Sequence, residues 1–209
     1  PLLIKTCAEE FPIEELDEGD VLIHNDPYRG GLHVPEHTLF KPFFHNGKAL
    51  GYLVCIGHIA EVGGMVPGGF AGEATEIFHE GFRVPPVKIK KAGKDVASVW
   101  KLMLANVRTP RHNYGDLRAM IGVLDLGEQR VTELLAKYGE ETFKNTCHDL
   151  MEYSERRMRS EISSFPDGHY NFEDSVENDG IEDKPYLLRV DVYVQGDEVV
   201  ADFTGSAAQ

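Results

Sequence analysis

Three cysteines in 209 residues, Cys7, Cys55 and Cys147, are too scattered and odd in number to form a disulfide framework. None has the CxxC spacing of a zinc site. A reducing compartment, the cytoplasm, is the expectation. No apolar run approaches the roughly 20 residues of a membrane span, and Pro1-Leu2-Leu3-Ile4-Lys5 is too short for a secretory signal. Basic residues are scarce: 21 Lys and Arg stand against 35 Asp and Glu, for a formal charge of −14. Phosphate backbones are bound by a Lys/Arg surplus on one face, so this balance argues against nucleic acid and against anionic membranes as partners. The chain also lacks a P-loop lysine motif, a GxGxxG turn and a GxSxG elbow. Gly63-Gly64 and Gly68-Gly69 around Pro67 fit none of these. There is no initiator Met, and Asp202 to Gln209 leave a strand without a capping element. Both ends therefore read as cut, and the chain as a partial domain of a larger one.

What is present is an ordinary globular composition, 42% hydrophobic and 10% aromatic, organised in three regions of an α+β fold. Residues 1–95 are rich in Gly, Pro and His, with short apolar runs between turns. Val21-Leu22-Ile23 reads as a buried strand ending at Asn25-Asp26-Pro27. Asn46-Gly47 marks a hairpin. Its return strand, Leu50 to Gly57, has the composition of a strand buried on both faces. Residues 96–164 have helical periodicity. One stripe holds Val96, Val99, Trp100, Met103, Leu104 and Val107. A second runs from Leu117 to Tyr138, and a third through Phe143, Cys147, Leu150, Met151, Met158 and Ile162. All three read as core faces. Asp116 reads as a helix N-cap. Residues 165–209 return to β, with Leu188, Val190, Val192 and Val194 alternating with polar positions in a hairpin that has one buried face.

Six of the nine histidines fall in the first region: His24, His33, His37, His45, His58 and His79. Several stand beside carboxylates at predicted strand ends. Imidazole and carboxylate together suit Zn, Mn or Fe(II), and an open coordination position activates water. On spacing alone, Asp26, His58, Glu61 and His79 are compatible with a metal site and equally with an accidental cluster. His33 and Glu36 form a similar pair that would contact substrate or stabilise a turn. Arg108 and Arg111 would hold an anion or be solvated. Cys55, inside an apolar run, reads as inert core.

Longer strings carry a resemblance. Gly19-Asp20, then Asn25-Asp26-Pro27-Tyr28-Arg29-Gly30-Gly31-Leu32-His33-Val34-Pro35-Glu36, resembles the "GD…NDPY-x-GG-x-H-x-PD" signature of the hydantoinase B/oxoprolinase family. His58-Ile59-Ala60-Glu61-Val62-Gly63-Gly64 resembles its "H-x-A-D-V/I-GG" element. Glu76-Ile77-Phe78-His79-Glu80-Gly81-Phe82-Arg83-Val84-Pro85-Pro86-Val87 resembles "EIF-x-EG-x-x-(I/V)PPV". Later landmarks, from Gly115-Asp116-Leu117 to Asp202-Phe203-Thr204-Gly205, follow in the same order.

The resemblance implies a B-type subunit of an ATP-dependent cyclic amidohydrolase in a hetero-oligomer. An A-type subunit or fused half would bind ATP and Mg and activate the substrate as a phosphate. It implies Asp26, His58, Glu61 and His79 as ligands of a divalent metal (Zn, Mn or Fe), with His58 and Glu61 catalytic. His33, Glu36, Gly63, Gly64 and Arg108 would lie around the substrate. The paired glycines, Gly68 and Gly69 included, would let backbone amides approach a developing oxyanion. Glu61 departs from the family's usual Asp, and many members lack His at position 79. That second departure keeps open an alternative implied by the same resemblance, an alpha-type subunit of an ATP-dependent ketone carboxylase.

Overall fold

The computed structural model describes residues 2–208, with side chains from residue 4. It forms two compact units, Pro1–Leu134 and Leu135–Gln209.

The first unit is a five-stranded antiparallel sheet in the order β3-β2-β1-β4-β5. Helix α1 spans Leu2–Glu10, β1 Val21–His24, β2 Glu36–His45 and β3 Lys48–His58. After these come the short α2 (Ile77–Glu80), β4 (Val87–Lys91) and β5 (Lys94–Asp95). Strand β1 is central, so its alternating side chains enter two different cores. Val21 and Ile23 join Leu39, Ile89, Trp100, Met103, Leu117, Met120, Ile121 and Leu124 in one. Leu22 joins Cys7, Leu16 and Phe40 in the other, beneath α1. Each such fully buried aliphatic or aromatic side chain stabilises the fold by about 1.5–3 kcal/mol. The larger core is closed by α3 (Ala97–Ala105) and by the first part of α4 (Pro110–Tyr138).

The β2–β3 hairpin turns at Asn46 and Gly47, both at positive φ (50° and 73°), as the Asn-Gly signal requires. Strand β3 is not buried on both faces, as its composition suggested. It lies at the sheet edge, and Val54 and Ile56 are exposed. Asp116 is not a cap either. Pro110 supplies the first turn of α4, where a missing N–H costs nothing, and this places Asp116 inside the helix.

A buried carboxylate closes the β1–β4 end of the sheet. Asp20, fully inaccessible, accepts hydrogen bonds from Lys88 Nζ, the Ala92 N–H (2.8 Å) and the Asp17 N–H (3.1 Å). Burial opposes its ionisation, but these donors outweigh burial and hold its pKa below the usual 3.8. A depressed folded pKa stabilises the protein above the unfolded value, and the contribution is lost as pH falls through the folded one. Unfolding free energy measured against pH should therefore decline below about pH 4. An Asp20→Asn variant should be less stable at neutral pH and show a flatter acid limb.

The second unit contains α5 (Glu140–Ile162) and a three-stranded sheet, β6-β7-β8 (Gly168–Val176, Tyr186–Gln195, Glu198–Asp202). The expected hairpin is thus part of a larger sheet. Of its apolar face only Val194 is buried, while Leu188 is exposed. The third helical stripe is no core among the described residues: Leu150, Met151 and Met158 on α5 are exposed.

Candidate functional site

The candidate residues collect where β1 and β3 end and β2 begins. Asn25, directly after β1, organises this edge. Its Nδ2 donates to the carbonyls of Val34 (2.7 Å) and Phe82 (3.0 Å), and its Oδ1 accepts from the Val84 N–H (2.6 Å). One buried amide thereby ties together three loop segments. The motif's Asn is a structural hub.

Asp26 caps the short turn Pro27–Arg29, accepting from the Tyr28 N–H (3.1 Å). Its carboxylate also faces Arg29 (3.5 Å) and Arg83 (3.8 Å). His58 lies elsewhere on the edge. The antiparallel register sets it opposite Glu36, its ring is 5.0 Å from that of His33, and it stacks at 6.1 Å on Phe70. The Glu36 N–H donates to the His33 carbonyl (3.0 Å). Thus His33, Glu36 and His58, residues of two separate motifs, are neighbours.

Glu61 is buried and fully engaged. Its carboxylate accepts from the Gly63 N–H (2.8 Å), from the Arg108 N–H and from Arg108 Nη1 (2.8 Å). Burial opposes its charge, but Arg108 and Gly63 more than offset that and lower its pKa. Arg108 further donates to the Gly64 carbonyl (2.8 Å). Asn113 Nδ2 donates to the Glu61 carbonyl (2.6 Å). His79 is occupied locally, its Nδ1 accepting from the Thr75 N–H (3.2 Å) and its Nε2 lying 3.2 Å from Glu76.

Gly63, Gly64, Gly68 and Gly69 all have positive φ. The close approach they permit is to the chain's own backbone: a Cβ on Gly63 would lie 2.6 Å from the Asn106 carbonyl oxygen, and one on Gly64 2.5 Å from that of His79. The Gly63 N–H is spent on Glu61 and the Gly69 N–H on the Val66 carbonyl. Gly64→Ala should destabilise the protein by about 1–3 kcal/mol from the left-handed conformation alone, with the clash adding to it. Thermal or urea unfolding reads this directly.

Two further histidines lie in the interior near this edge. His24 is inaccessible with neither ring nitrogen hydrogen-bonded, and burial lowers its pKa. Burial also lowers His37 to about 4, against a weak hydrogen bond from its ring to the Pro35 carbonyl (3.4 Å). Both are neutral at physiological pH.

Among the described residues, no three His, Cys, Asp or Glu side chains are arranged to hold a metal ion. Asp26, Glu61 and His79 are engaged with protein partners in this arrangement. The pair the fold does assemble is His33 with His58. Arg83 had no expected role, although it lies close to two exposed aromatic residues of the same motifs, Tyr28 and Phe78.

The Hydantoinase B/oxoprolinase model matches residues 1–209, and the chain belongs to that family. It is 35% identical over 192 residues to the beta subunit of caprolactamase from Pseudomonas jessenii, covering 92% of this chain and 33% of that protein. The crystal structure of ATP-dependent caprolactamase from P. jessenii superposes with a TM-score of 0.90 over 95% of this chain and 34% of that one. A protein assigned as the B-type component of a D-/L-hydantoinase in Pseudomonas sp. (strain NS671) is 31% identical, over 94% of this chain and 34% of its own length. The acetophenone carboxylase delta subunit of Aromatoleum aromaticum is 30% identical, over 84% and 26%. The chain spans about a third of the length of the first two relatives. No helix among the described residues is long and apolar enough to cross a membrane.

Proposed function

We propose that this chain is part of the B-type component of an ATP-driven enzyme that opens a small cyclic amide. It would work in the cytoplasm with an A-type partner, or fused half, that binds ATP and Mg. What supports the reading is the family match over the whole chain, together with its similarity to the caprolactamase and hydantoinase components. His58 is the group best suited to proton transfer. Imidazole is a common general acid–base group, and His58 stands at the exposed end of β3 with His33 and Phe70 beside it. Glu61 acts here by positioning, because its oxygens hold Arg108 and the Gly63 amide.

A divalent ion (Zn, Mn or Fe) remains part of the proposal. It would supply Lewis-acid activation of water. Binding it through Asp26, Glu61 and His79 would require each to exchange its present partner. Metal analysis of the complete complex decides this point.

The experiment is reconstitution. The complete B-type protein, its A-type partner and ATP are mixed with cyclic amides of several ring sizes, or with a ketone plus bicarbonate. ATP turnover should require both components and rise with a cyclic amide. Stimulation by ketone and bicarbonate alone would establish the carboxylase alternative, which the acetophenone carboxylase similarity supports.

A further inference from the structure

An arginine that makes no hydrogen bond to the protein among the described residues keeps its five N–H donors open to solvent or a ligand. Arg83 is such a residue. Its guanidinium carbon lies 5.4 Å from the Tyr28 ring centroid and 5.6 Å from that of Phe78. The cation thus lies within cation–π distance of two aromatic rings. Its side chain is 31% accessible, and its one ion pair among the described residues, to Asp26, is long at 3.8 Å. Asp26 also faces Arg29 at 3.5 Å, and Arg29 pairs with Glu10 as well.

Arg83 opens onto a cleft of about 360 Å³ lined also by Gly64, Phe78, Gly81, Phe82 and Asn106. That is the scale of a small-molecule site. Phe78 is 65% exposed and Tyr28 74%. Large aromatic residues standing free in a Gly-rich segment have no core to serve, and here both lie beside the guanidinium. Its planar fork matches the two oxygens of a carboxylate or phosphate.

We propose that the Arg83 cleft is an oxyanion subsite, with Tyr28 and Phe78 as its positioning residues. Resting on the function proposed above, its ligand is a group of the substrate: a ring carboxylate, or the phosphate that activation attaches.

The test measures binding without ATP or partner, so it is able to fail while the ring-opening reading stands. Inorganic phosphate and acetate are titrated separately into the complete B-type protein at low ionic strength, by calorimetry or NMR. At least one anion should bind saturably. Arg83→Met should weaken that binding roughly tenfold or more, and Arg83→Lys less. Phe78→Ala, which keeps the charge and removes one ring contact, should weaken it by an intermediate factor. Phosphate binding alone identifies the activated intermediate as the source, acetate binding alone the substrate carboxylate, and binding of both a shared oxyanion site. Circular dichroism confirms that the variants fold. The proposal is overturned if neither anion binds, or if Arg83→Met binds as the parent does.

Discussion

His58→Ala in the complete complex should lower kcat by about 10²–10⁴-fold, the range for removal of a general acid or base. The stability of the protein should change little. The side chain is exposed at the end of an edge strand and makes ring contacts with His33 and Phe70, so its removal opens no cavity. Steady-state turnover and a melting curve on the same preparation separate the two quantities. Glutamine at this position preserves polarity without proton exchange and should be as inactive as alanine. Near-normal turnover in both variants would remove His58 from the chemistry.

Glu61→Ala should have the opposite profile, a structural loss of about 1–3 kcal/mol, the cost of leaving buried backbone donors without an acceptor. The deletion orphans the Gly63 and Arg108 backbone N–H groups and the Arg108 guanidinium together. Three donors lose one acceptor at the point where the Gly-rich loop meets the start of α4. Glu61→Gln keeps an acceptor of the same length without the charge and should recover part of the loss. Urea denaturation of parent, Ala and Gln variants measures the series. Were alanine as stable as the parent while turnover fell to nothing, Glu61 would belong to the chemistry and the positioning role would be wrong.

The elements most legible from residues alone were those fixed by local chemistry. Asn46-Gly47 demanded positive φ and gave the hairpin turn. Val21-Leu22-Ile23 was apolar at every position because β1 is flanked by strands on both sides and covered on both faces. What failed depended on distant segments. Leu53 to Ile56 looked doubly buried because composition does not report that β3 is an edge strand. The apolar stripe on α5 showed a face, and periodicity could not say what covers it.

The same division runs through the site. The motifs were readable, but the pairings within them were set by register and ion pairing across long sequence separations. His33 reaches His58 because β2 aligns Glu36 with His58. Glu61 is claimed by Arg108, 47 residues later, rather than by the imidazoles nearer in sequence. Asn25 gave no sign of bridging Val34, Phe82 and Val84, since an Asn beside Asp-Pro reads first as a turn residue.

The most direct measurement is the product balance of the complete two-component enzyme acting on a cyclic amide with ATP. Mass spectrometry quantifies the ring-opened amino acid while ADP is counted in the same reaction. Ring-opened product and ADP should accumulate in step, and only when both components are present. ADP formed without ring opening, or ring opening that proceeds without ATP, would contradict the proposed function.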